Sequence, residues 1–132
     1  MKTEFDLDTQ TELALDFFKK GDLVLAKDLC YTNLSKNTSH APSLNLLGII
    51  LFKEGFLEKS IENLKKAILN TTDKVKDYTF NLAKIYHASK QLQKAAETYQ
   101  ECCEYTTAAD LFFFQNNLNH HFTILYKLNR RL

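Results

Sequence analysis

Leu47-Gly48-Ile49-Ile50-Leu51-Phe52-Lys53-Glu54-Gly55-Phe56-Leu57 reads as the end of one apolar helix, a turn at Gly55 and the start of a second helix. Gly21 stands thirty-four positions earlier, inside the same arrangement. Around it lie Leu13, Ala14, Phe17, Leu23, Ala26, Cys30 and Asn33; around Gly55 lie Leu47, Gly48, Leu51, Leu57, Ser60, Leu64 and Ala67. Every member moves by the same step. A third copy follows as Leu82, Ala83, Tyr86, Lys90, Leu92, Ala95, Tyr99 and Cys102, displaced by thirty-five, so one residue is inserted between positions 72 and 76. A fixed period of this length, made of two helices and a turn, marks a helical solenoid whose units must stack to bury their apolar faces. The small residues at Ala14, Gly48 and Ala83, and at Ala26, Ser60 and Ala95, fall where two helices cross closely.

Spacing predicts helix pairs over 8–19 with 23–36, 42–54 with 57–70, and 76–89 with 92–105. Asp22 is placed to cap the second helix, Pro42 opens the third where its missing N–H costs nothing, and 70–73 forms a loop with its own cap. A seventh helix is expected over 109–127. Phe114, Leu118, Phe122, Leu125 and Tyr126 recur on it at three- and four-residue steps, a stripe suited to capping the end of a stack.

The pattern resembles the tetratricopeptide repeat family, with repeats at 7–40, 41–74 and 76–109 in a single domain of residues 1–132. Leu47-Gly48, Leu51, Gly55 and Ala67 carry the likeness best. Lys90 replaces the turn glycine in the third copy, Asn33 replaces a small apolar residue in the first, and Thr38, Thr72 and Thr107 stand where a closing proline is frequent. The resemblance implies an all-α fold, a right-handed superhelical solenoid of stacked antiparallel helix pairs.

It also implies a function. In this family the first helix of each unit lines a concave groove. The ligand-facing positions carry over to Asp8, Thr11, Leu15, Phe18 and Lys19, then to Pro42, Asn45, Ile49, Phe52 and Lys53, then to Asp77, Phe80, Lys84, His87 and Ala88. Leu15, Phe18, Ile49, Phe52 and Phe80 would form an apolar strip beside a basic edge of Lys19, Lys53 and Lys84, with Asn45 and His87 as polar contacts. Such a strip suits an amphipathic or extended protein segment with apolar anchors and an acidic flank. An alternative is that the strip is filled by the C-terminal helix, with its Phe112-Phe113-Phe114 run, or by a second copy in a homo-oligomer. The lysine and asparagine clamp of arrays that hold chaperone tails is not made, since the first copy offers Thr11 and Leu15. Residues 40–50 are similar to units of bacterial arrays attached to glycosyltransferases, so the chain could be the arm of a larger enzyme.

Composition is consistent with this reading. Three Gly and one Pro disfavour a turn-rich sheet protein. A net charge of +1, with Arg130 and Arg131 as the only arginines, argues against nucleic acid as partner. Glu4, Asp6 and Asp8 interrupt any leader-like apolar run, and the run 46–52 is too short to cross a bilayer. A cytoplasmic setting is therefore expected, with three unpaired cysteines. Cys102-Cys103 and His120-His121 are adjacent pairs whose side chains diverge by about 100° on a helix, so neither chelates a metal. His40 reads as a loop residue. Glu58, Glu62, Lys65 and Lys66 read as a solvated face with i,i+4 pairs. No catalytic constellation, metal site or cofactor motif is present in the pattern.

Overall fold

A computed structural model describes residues 6–103, all of whose regular elements are helical. They are α1 (Leu7–Lys19), α2 (Leu23–Lys36), α3 (Ala41–Lys53), α4 (Leu57–Asn70), α5 (Val75–Ala88) and α6 (Leu92–Cys103). The chain divides into two compact units between Asp73 and Lys74, with α1–α4 in the first and α5–α6 in the second. The seventh helix expected at 109–127, with Phe112, Phe113, Phe114, His120 and His121, lies outside the described residues.

Each pair is closed by the same backbone device. Gly21 N–H bonds the Phe18 carbonyl while Asp22 N–H reaches back to Phe17; Gly55 and Phe56 repeat this with Phe52 and Leu51, and Lys90 and Gln91 with His87 and Tyr86. These paired bonds satisfy the last carbonyls of the first helix and require a left-handed residue after it. Gly21 has φ +89° and Gly55 φ +93°, free of a Cβ penalty. Lys90 is forced to φ +68° in the same role. Left-handed backbone costs a Cβ-bearing residue about 1–2 kcal/mol, part of which glycine returns as unfolded-chain entropy. Lys90→Gly is accordingly expected to stabilise the second unit by about 0.5–1 kcal/mol, read as a higher urea midpoint. An unchanged or lower midpoint would show that the Lys90 side chain contributes more than its backbone loses.

The helix starts are less uniform. Asp22 accepts from the Leu25 amide as its position anticipates, and Pro42 sits in the first turn of α3. The 70–73 loop was expected to carry its own cap, but the N-cap residue of α5 is Lys74, which makes no side-chain capping bond.

Within the pairs, the small positions lie where helices approach. Ala14, Ala26, Ala83 and Ala95 are fully buried. At Gly48 a methyl would stand 2.9 Å from Leu64 Cγ and 3.1 Å from the Ser60 carbonyl oxygen. Ser60 Oγ uses the proximity, donating to the Gly48 carbonyl at 2.6 Å. In the first unit, α3 packs on both α1 and α2. Its Leu46, Leu47, Ile50 and Leu51 share one cluster with Ala14, Ala26 and Cys30, edged by Phe17, Phe18, Leu23, Leu29 and Leu34. Burial pushes the Cys30 thiol up to about 12, away from thiolate chemistry. In the second unit the core is aromatic, with Tyr78, Leu82, Ile85 and Tyr86 of α5 and Ala96, Tyr99 and Cys102 of α6 all buried. Cys102 thus takes the packing position expected of it, its Sγ 3.6 Å from the Lys76 carbonyl. Among the described residues, no helix is long and apolar enough to cross a membrane.

Candidate functional site

The residues expected to line a groove are on the first helices, and none of them is buried. In the first unit Leu15 is exposed and Phe18 half-buried on α1, with Lys19 in solvent; Asn45, Ile49 and Phe52 are half-buried on α3, with Lys53 exposed. These two helices are brought together at one point. Lys53 Nζ of α3 lies 5.7 Å from the centroid of the Phe18 ring of α1, within the range in which a ring face attracts an ammonium. Phe18 itself packs on the core cluster, so its ring is held while one face remains available.

The second unit repeats the chemistry on its own. Lys84 Nζ stands 5.1 Å from the centre of Phe80, and Phe80 is braced from below by Tyr99 at 5.4 Å between centroids, tilted 60°. His87 is half-buried one turn further along α5. Each unit therefore presents an aromatic ring anchored by the core, with a lysine over it.

Two positions carried over as ligand-facing also bond within the chain. Thr11 Oγ1 donates to the Leu7 carbonyl at 2.7 Å and accepts from Asn33 Nδ2 at 3.0 Å. Asp8 faces His40, with its Oδ1 3.3 Å from Nε2. His40 lies in the loop between α2 and α3, as expected. It is the N-cap residue of α3, and its Nδ1 is 2.8 Å from Ser43 Oγ. Ser43 also accepts from Asn33 Nδ2 at 2.9 Å. The direction of the His40–Ser43 bond follows the form of the imidazole, since either ring nitrogen can carry the proton.

Asp8, His40 and Ser43 are thus connected in the order of a hydrolase triad. Access decides against that chemistry, since Ser43 is fully buried and its oxygen is already engaged by Asn33, whereas a nucleophile must reach a carbonyl. The network is a polar layer that ties α1, α2 and α3, leaving Asn33 Oδ1 without a partner among the described residues. Its signal in the sequence is Asn33, a polar residue at a small-residue position of the repeat. Among the described residues no cluster of His, Cys, Asp or Glu is placed to hold a metal. Glu58, Glu62, Lys65 and Lys66 are exposed as expected but form no ion pairs with one another.

The tetratricopeptide repeat family profile matches residues 77–108, the third of the three copies. No curated protein shows significant sequence similarity to the chain. Among solved structures, the Yersinia enterocolitica type III secretion chaperone SycD, in complex with a peptide of the translocator YopD, is similar with TM-score 0.73 and 14% identity over 94% of each chain. The O-GlcNAc transferase of Thermobaculum terrenum is similar with TM-score 0.67 and 20% identity; the match takes in 74% of this chain and only 19% of the transferase. A tetratricopeptide repeat protein of Parabacteroides merdae gives TM-score 0.63 and 23% identity, over 76% of this chain and 40% of that one. Likeness at these identities establishes the fold.

Proposed function

Because the chain is a tetratricopeptide-type helical repeat array, we propose that it is a non-catalytic protein-interaction scaffold whose first helices hold a peptide or helical segment of a partner. The observation that carries this reading is the Phe18–Lys53 contact between α1 and α3. A ring fixed by the core and topped by an ammonium offers an apolar anchor point with a cation beside it. Leu15, Ile49 and Phe52 extend the apolar area, and Asn45 adds a polar contact. Phe80 with Lys84, and His87, offer the same combination on α5. The complementary segment carries spaced apolar side chains and an acidic residue next to one of them. The peptide complex of SycD supports peptide holding as a use of this fold. The transferase likeness favours a second setting, in which the same face serves a longer enzyme as its arm.

Selection of peptides from a displayed random library against the purified chain is the direct test. Selected sequences are expected to be rich in apolar and acidic residues. Phe52→Ala and Lys53→Glu should each weaken the best of them at least tenfold, the size of an interface anchor, with helical circular dichroism unchanged. Peptides that bind both variants as tightly as the native chain would place the partner face elsewhere.

A further inference from the structure

The outward face of α1, apart from the groove positions, repeats in register the face of α3 that receives α2. Along α3 the stripe Ser43, Leu46, Leu47, Ile50, Leu51 and Glu54 recurs at three- and four-residue steps and receives α2. Three kinds of contact hold that helix. Ser43 bonds Asn33 near the end of α2, the four apolar residues cluster with Ala26 and Cys30 in its middle, and Glu54 pairs with Lys27 near its start at 2.8 Å. The Glu54 carboxylate, accepting from the Lys27 ammonium, pushes its pKa above the ordinary lysine value. The Lys27 ammonium therefore stays charged through neutral pH.

Thirty-four residues earlier, the same stripe on α1 is Thr9, Glu12, Leu13, Asp16, Phe17 and Lys20. Leu13 is 43% exposed where its counterpart Leu47 is 2% exposed, and Asp16 is in solvent where Ile50 is fully buried. Glu12, Asp16 and Lys20 make no ion pair among the described residues. The geometry is that of a receiving helix, but the charges differ from those of α3.

We propose that this face docks a partner helix running antiparallel to α1, as α2 runs against α3, with a charge pattern opposite to the stripe. The occupant has an acidic residue near its start to meet Lys20. An apolar seam packs on Leu13 and Phe17, and Arg or Lys in its middle turns meets Asp16 and Glu12. Glu12 and Asp16 therefore select a basic-bordered helix.

The test uses a side-chain-stapled helical peptide of about four turns with an early Glu, a leucine seam and two central arginines, beside a version with glutamates replacing the arginines. By fluorescence anisotropy at low salt, the arginine peptide should bind at least tenfold tighter. The preference should invert in a Glu12→Lys/Asp16→Lys variant and persist in Phe52→Ala, which separates this face from the groove. Amide shifts should map the peptide to α1. Equal affinities for the two peptides, or a preference untouched by charge reversal, would overturn the proposal.

Discussion

Replacing Ile50 by Ala is expected to lower the unfolding free energy of the first unit by about 2–4 kcal/mol, the usual loss for a large aliphatic truncated in a packed core. Ile50 is fully buried in the cluster that joins α3 to the first pair. Its cluster partners Ala14, Ala26 and Cys30 lie on α1 and α2, and α3 is also packed on α4, so the site cannot collapse around the lost atoms. Asp16→Ala, at the same place in the preceding repeat, is expected to change stability by less than about 0.5 kcal/mol, because Asp16 lies in solvent. Urea titration followed by backbone circular dichroism measures both. Similar losses at the two positions would mean that the outward face of α1 is covered in solution.

The second large effect lies in the polar layer. Ser43→Ala leaves one Asn33 N–H buried without an acceptor and His40 Nδ1 without its hydroxyl partner. An unsatisfied buried polar group costs about 1–3 kcal/mol, and a loss of that size is expected. Asn33→Ala removes the orphaned amide itself. The double variant should therefore be more stable than the two single losses added together, by about 1 kcal/mol or more. Strict additivity in this cycle would show that the Asn33–Ser43 bond is not formed in solution.

Much of the fold could be read from the period alone. Two small residues per repeat, a left-handed turn and a run of apolar positions placed α2 at Leu23–Lys36 and α4 at Leu57–Asn70 as expected, since each of these signals is local. Lys90 shows that the turn survives without glycine because both backbone bonds around it are kept. Of the strip residues, Leu15, Lys19 and Lys53 are exposed while Phe18, Ile49 and Phe52 are half-buried, a pattern that follows the helical period.

Pairings between helices were not. Asn33 meets Ser43 and Thr11, and Lys27 meets Glu54, only because α3 packs against α2 and α1. No propensity or motif encodes those distances. His40 lies in a loop as its neighbours in sequence indicate, but the contacts of its ring, a carboxylate from α1 and a hydroxyl from α3, are not encoded there. Thr11 likewise turned inward to a partner that the repeat pattern ordinarily supplies as a small apolar residue.

The aromatic core of the second unit has an optical consequence. The chain has no tryptophan, so its near-ultraviolet signal is set by tyrosine. Among the described residues, the first unit offers only Tyr31, half exposed, while Tyr78, Tyr86 and Tyr99 are enclosed in the second. Burial carries the Tyr99 hydroxyl up to about 12, so it should ionise late in an alkaline absorbance titration. Near-ultraviolet dichroism then follows α5 and α6, and events confined to α1–α4 pass almost unseen in that light.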